Sequence, residues 1–384
     1  MIRTIADLVH GRSSLCAILL LFCGLGMPVV NPVLGTANIQ PPPRVRRPVV
    51  IAHRGASGQR PEHTLAAYEL GAIQGADFIE PDLVITKDGV LVARHEPEIG
   101  ETTDVARHPE FVSRRTTKRL GGRDVTGWFI EDFTLEELKT LRARERIPEL
   151  RPESSRFDGQ FEIPTFREIL QLRVELSRRL GREVGVYPET KHPARFAALG
   201  LPLEEPLVAE LKANHLATSE SPVFLQSFET DSLRKLAKLC DARRIQLLGS
   251  RPPFPLEDET AGPGATGWLT PRYLQEIRTF ADGIGPDKSL VIPRTPEGQL
   301  GMSTGLVADA HRAGLLVHPY TFRAENAFLP TGYQLETSSD DNRFRSAHGN
   351  VAGELRRFLE EGIDGFFIDQ PEIGVKERDR ENAH

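Results

Sequence analysis

The chain has 384 residues, 39% hydrophobic and 27% charged, which is ample for a large core and excludes a fibrous or disordered polymer. Its 48 basic and 54 acidic side chains give a net charge of −6 with no run of like charges, so nothing points to a nucleic-acid partner.

The chain opens with Arg3 and Arg12, an apolar stretch over 15–25, and the small residues Gly35-Thr36-Ala37. A basic start, a short apolar core and a small-residue site predict a cleaved secretory signal over 1–37. The apolar core is short for a bilayer span, and Pro28 and Pro32 interrupt its continuation. Lipidation at Cys23 would want a small residue before the cysteine, and Phe22 stands there. Cys16 and Cys23 lie inside this segment, so the mature chain keeps Cys240 alone and forms no intrachain disulfide. Loss of Arg3, Arg12 and Asp7 leaves 46 basic against 53 acidic groups, net −7. An export signal on a chain too large to need disulfide staples predicts a periplasmic or secreted protein.

Residues 38–47 are a proline-rich linker, the folded part is expected over 48–376, and 377–384 read as a polar tail. Strand-like runs at 49–52, 78–86, 184–188, 223–227, 245–249, 281–285, 315–319 and 365–369 alternate with amphipathic segments such as 64–74, 165–180, 203–214, 230–239, 271–280, 303–313 and 351–361. About eight strand-helix units in this length predict an α/β fold, a TIM-type (β/α)8 barrel. The highly charged segment 100–161 breaks the rhythm and reads as a small inserted lobe. Asp88-Gly89 predicts a hairpin joining 78–86 to 90–95, with His95 closing its second arm.

In such a barrel, chemistry sits at the strand C-terminal ends. Those ends carry His53-Arg54, Glu80-Pro81-Asp82, Arg94-His95 and Glu189-Thr190-Lys191. Residues two apart share a strand face, so Glu80, Asp82 and Glu189 can converge inside the mouth. Three carboxylates at one point repel unless a cation lies between them, and an all-oxygen set favours Ca²⁺ or Mg²⁺ over zinc. His53 and His95 titrate near neutrality and suit an acid/base pair, while Arg54 and Lys191 add anion-binding capacity. Together these groups point to phosphoester cleavage.

The set His53-Arg54-Gly55-Ala56-Ser57-Gly58, Pro61-Glu62-His63-Thr64, Glu80-Pro81-Asp82-Leu83, Thr86-Lys87-Asp88-Gly89, His95 and Pro188-Glu189-Thr190-Lys191 resembles the glycerophosphodiester phosphodiesterase family, exported bacterial type. Gln226-Ser227-Phe228, the 281–287 and 317–323 segments, and Gly365-Phe366-Phe367-Ile368-Asp369 resemble it too, so the likeness covers about 48–376. The resemblance implies a TIM-type barrel, a divalent cation held by Glu80, Asp82 and Glu189 with Ca²⁺ preferred, His53 and His95 as acid and base, and Arg54 and Lys191 on the phosphate. The implied reaction splits glycerophosphodiesters, small-molecule substrates, into sn-glycerol 3-phosphate and an alcohol. Rival readings are a related barrel phosphodiesterase on intact lipid or teichoic acid, and a surface binding protein without turnover.

Two departures from the family lie near the mouth: Ile368-Asp369-Gln370-Pro371, where an aromatic usually precedes the proline, and a long polar loop over 331–350. Outside the assigned set, His63 is expected to fix a turn, His318 to contact substrate or pack, and Trp268 and Phe228 to pack in the core or against the glycerol backbone.

Overall fold

The computed structural model describes residues 47–250, 268–335 and 341–381. The expected signal at 1–37 and all but the last residue of the expected linker lie outside the described residues. No helix among the described residues is long and apolar enough to cross a membrane.

Thirteen strands are described: β1 (Val49–His53), β2 (Phe78–Glu80), β3 (Asp82–Ile85), β4 (Leu91–Ala93), β5 (Thr116–Leu120), β6 (Arg123–Gly127), β7 (Gly185–Val186), β8 (Glu189–Thr190), β9 (Phe224–Ser227), β10 (Arg243–Leu248), β11 (Gly283–Pro286), β12 (Leu316–Val317) and β13 (Gly365–Ile368). The expected second run, 78–86, is split at Pro81, which has no N–H to give to the ladder. The third run is likewise interrupted before Pro188, and its continuation β8 carries Glu189. The halves pair consistently: β2 lies against β7, and β3 against β8, all parallel.

Parallel pairing then runs from β8 through β9, β10 and β11 to β12, and β13 pairs with β1, which pairs with β2. The remaining seam is sewn by backbone bonds Asp364 N–H to Val317 O at 2.9 Å, Phe367 N–H to Pro319 O at 3.1 Å and Phe322 N–H to Phe367 O at 2.9 Å. Eight strand positions thus close on themselves with helices outside, a (β/α)8 barrel.

The barrel interior is a separate apolar cluster of Ile51, Phe78, Tyr187, Phe224, Ile245, Leu316 and Phe367. Every strand position except β11 supplies one of these large side chains. A Cβ on its Gly283 would lie 2.7 Å from Ile245 Cδ1 and 2.8 Å from Leu316 O, so β11 stays bare to make room for its neighbours. The opposite strand faces, with Val50, Ile79, Val186, Leu225, Ile284 and Phe366, join the helices in the larger core.

The expected helices form within a few residues of their boundaries. Thr64 caps Leu65–Ile73 by accepting from Ala67 N–H, and Thr165 with Glu168 makes a capping box on Phe166–Leu180. The hairpin at Asp88-Gly89 pairs β3 with β4 antiparallel, ending one residue before Arg94.

The 100–161 segment is more regular than its composition suggests. It holds the β5–β6 hairpin, whose turn places Gly121 and Gly122 at φ +55° and +78°, and the capped helix Leu135–Thr140. Within the 331–350 loop, Asp341–Ser346 forms a helix, and 336–340 lie outside the described residues. The polar tail at 377–384 is a correction. The last helix runs Pro371–Glu381, because Glu377 and Arg378 are buried and the Arg378 guanidinium pairs with Asp77 beside β2.

Candidate active site

The period-2 alternation that fills the barrel also builds the mouth. Two residues beyond an interior apolar residue, each strand points its next inward side chain into the open end. His53 follows Ile51, Glu80 follows Phe78, Glu189 follows Tyr187, Gln226 follows Phe224 and Asp369 follows Phe367. All seven residues expected at the site line one cavity of ≈ 120 Å³: His53, Arg54, Glu80, Asp82, His95, Glu189 and Lys191.

Glu80, Asp82 and Glu189 are 5% exposed or less, and each offers an oxygen within 4.8 Å of the others. Burial, reinforced by Asp82 and Glu189, pushes the Glu80 carboxyl well above its ordinary range. Burial also drives Glu189 up to about 8, although Lys191 Nζ stands 2.8 Å from its Oε1. Asp82 goes the other way: burial would raise it, but Lys191 and a hydrogen bond from His63 hold it well below. Its Oδ1 has no hydrogen-bond partner among the described residues. An orphaned buried carboxylate oxygen beside two carboxyls in mutual repulsion fits a bound hard cation, which would neutralise all three.

The polar frame around this triad is tightly specified. Arg54 sits at φ +59° and Gly55 at +87°, a turn that aims the Arg54 N–H at Glu80 Oε2, 2.7 Å away. A Cβ on Gly55 would meet Ala67 C at 2.5 Å, so glycine is required there on both counts. Gln226 donates to Glu80 Oε1 at 3.0 Å.

Each of the two expected histidines is backed by an acid. His53 Nδ1 donates to Asp369 Oδ1 at 2.6 Å, and His95 Nδ1 donates to Glu96. With Nδ1 protonated, Nε2 is the basic nitrogen of each ring, and that of His95 lies 3.1 Å from Lys191 Nζ. Neither ring keeps the near-neutral titration its residue type suggests: burial and the Arg54 charge lower the His53 pKa to about 4 and that of His95 to about 3.

Several site residues escape a sequence reading. Asp369 closes a strand run that resembles the family but had no role assigned to it, yet it takes His53 on one oxygen and Arg151 and Arg323 on the other. His63, expected to fix a turn, is fully buried, with Nε2 donating to Asp82 Oδ2 at 2.9 Å and Nδ1 2.8 Å from the Tyr68 hydroxyl. Glu62 receives both Arg54 and Arg146. Arg94, fully buried, donates to the Glu62, His63, Ala93 and Thr102 carbonyls, tying the loop after β1 to the hairpin and to the lobe. The period-2 rule would have found Gln226 and Asp369; nothing local announces Arg151, which arrives from the lobe. His318 is buried against Tyr187, Trp268 is buried away from this cavity, and Phe228, 42% exposed, stands at its rim with Lys191 Nζ 5.6 Å over its ring.

With this geometry in place, comparison with known proteins is direct. The glycerophosphoryl diester phosphodiesterase family matches residues 53–373, and the chain belongs to that family. Glycerophosphodiester phosphodiesterase GDPD6 of Arabidopsis thaliana is 37% identical over 300 residues, 75% of this chain and 78% of its own. The glycerophosphodiester phosphodiesterase of Bacillus subtilis is 28% identical over 94% of this chain and 97% of its own. An Oleispira antarctica phosphodiesterase, solved in complex with the product sn-glycerol-3-phosphate, shares the fold with a TM-score of 0.54 at 20% identity, covering 87% and 97% of the two chains.

Proposed function

We propose that the protein is an exported, metal-dependent hydrolase that cuts glycerophosphodiesters into sn-glycerol 3-phosphate and an alcohol. The observation that carries this reading is one cavity holding three buried carboxylates, two acid-backed imidazoles and the Arg54 and Lys191 cations. Family membership and the names of the relatives support the substrate class. The basic and apolar opening of the chain supports export to the periplasm or outside.

Glu80, Asp82 and Glu189 would hold the cation, with Ca²⁺ favoured over Mg²⁺ because three carboxylates at one point suit an ion that takes many oxygen ligands. When bound, it supplies positive charge beside the phosphoryl oxygens and acidifies a nearby hydroxyl. Arg54 and Lys191 bind the phosphate and oppose the negative charge its oxygens gain. One histidine Nε2 takes the proton of the glycerol 2-hydroxyl, whose oxygen attacks phosphorus, while the other histidine protonates the departing alcohol. The product of that step is a 1,2-cyclic phosphate, and water opens it with the proton roles reversed. Asp369 and Glu96 accept from Nδ1 and so turn each Nε2 toward the reaction; the ring acting as base starts neutral, and the ring acting as acid has to enter the step as the imidazolium, which its carboxylate partner stabilises.

The test is release of glycerol 3-phosphate from soluble glycerophosphocholine in Ca²⁺ or Mg²⁺, with phospholipid vesicles as the control for a lipase. An inert protein on every glycerophosphodiester would overturn the reading. The route is tested by the 2-deoxy analogue, which is expected to bind and turn over very poorly; comparable turnover would mean direct attack by water.

A further inference from the structure

A second cavity of ≈ 160 Å³ adjoins the first, and His53, Arg54 and Arg323 line both. A phosphodiester centred on Arg54 therefore has room for one ester arm on each side. The first cavity carries the carboxylate triad and an apolar wall of Phe228, Leu247 and Phe367, and it suits the small, invariant glycerol. The second is left for the alcohol that departs, and its chemistry is one-sided.

Four guanidinium groups line it, from Arg54, Arg146, Arg151 and Arg323, against the carboxylates of Glu62 and Asp369, while Glu96 and Glu325 pair with Arg146 and Arg151 from behind the lining. Both lining carboxylates are already committed. Glu62 accepts Arg54 Nη1 at 3.0 Å and Arg146 at 2.6 and 2.9 Å; Asp369 is shared among His53, Arg151 and Arg323. Donors remain: Arg323 uses only Nε, Arg146 leaves Nη1, and Arg54 leaves Nη2 without a hydrogen bond among the described residues. The Phe328 ring, which could otherwise take a quaternary ammonium, already has the Arg323 guanidinium 4.8 Å over it.

We propose that this second cavity is the leaving-alcohol subsite and that it selects alcohols bearing a negative group, carboxylate or phosphate, over quaternary ammonium alcohols, with Arg323 as the principal contact. A carboxylate or phosphate there meets free N–H donors in fork geometry. A trimethylammonium group, which has no N–H to give and accepts none, meets only guanidinium donors and no open carboxylate. The inference rests on the glycerophosphodiesterase reading above.

The experiment measures kcat/KM of the wild-type protein, loaded with Ca²⁺ or Mg²⁺, on sn-glycerol 3-phosphate esters of 3-hydroxypropanoate, 2-hydroxyethyl phosphate, 1-propanol and choline. The two anionic esters are expected to exceed choline by at least about tenfold at low salt, with propanol between, and the gap should narrow at 1 M salt. Comparison of the carboxylate and phosphate esters identifies which anion the subsite serves. Arg323→Gln should shrink the anion-to-choline ratio several-fold; because the ratio is internal, partial misfolding of the variant does not affect it. Choline turned over as fast as the anionic esters, or a ratio untouched by Arg323→Gln, overturns the subsite. Failure on all four esters instead overturns the glycerophosphodiesterase reading itself.

Discussion

The two halves of the barrel use the same architecture for opposite ends. On the β13, β1, β2/β3 and β7/β8 side, inward positions above the apolar layer are Asp369, His53, Glu80, Asp82, Glu189 and Lys191. Across the mouth, the positions above that layer are Leu247 on β10 and Gly285 on β11, and the one that follows Leu316 is His318, buried against the Tyr187 hydroxyl and outside the cavity lining. One half holds buried charge that destabilises unless each group is matched, and the other half packs. The lesson is that a barrel tolerates a dense ionic site because the opposite wall remains ordinary core.

The sharpest way to break this contrast is at the carboxylate triad. Glu80→Ala, or exhaustive chelation of the wild-type protein, is expected to reduce turnover to background while the far-UV circular dichroism is kept, since a strand-end acid serves the site more than the core. Full activity after chelation would remove the cation from the reaction. Next in size, His53→Ala and His95→Ala should each lower kcat by about 10²- to 10⁴-fold, the range of general acid/base contributions. A variant with wild-type turnover would take that histidine out of the proton exchange.

Asp369→Asn should follow at about 10²-fold in kcat, because His53 loses the acceptor that fixes its ring and tautomer. Its KM should change less than kcat, which separates a misaligned base from lost binding. The smallest effect on chemistry is expected in the packing half. Gly283→Ala pushes a methyl into Ile245 and the Leu316 backbone and should destabilise folding by about 1–3 kcal/mol in urea titrations, with kcat of the folded protein unchanged. A kcat loss there matching that of Asp369→Asn would erase the distinction between the halves.

Much of this was legible in the sequence because strands have period 2. Glu80 with Asp82, and Glu189 with Lys191, announce a shared face by spacing alone, and the structure gathers them. The strand breaks at Pro81 and before Pro188 were not read, although the missing N–H of proline makes them intelligible. Asp369 and Gln226 obey the same rule as Glu80 but look unremarkable, since a single polar residue at a strand end carries no partner in its own neighbourhood. Arg146 and Arg151 are beyond local reading altogether. Their targets, Glu62 and Asp369, lie 84 and 218 positions away, and only the fold brings them together.

The hydrogen bond from His53 to Asp369 spans 316 positions, from the first strand to the last. During synthesis, therefore, every chain shorter than about the full barrel lacks the acceptor that orients the His53 ring, and β1 has no β13 to pair with. Such long-range closure is slow relative to local helix and hairpin formation. The enzyme comes of age only when its ends meet, so activity in a refolding experiment should rise with the final closure of the ring and lag behind the recovery of helical signal.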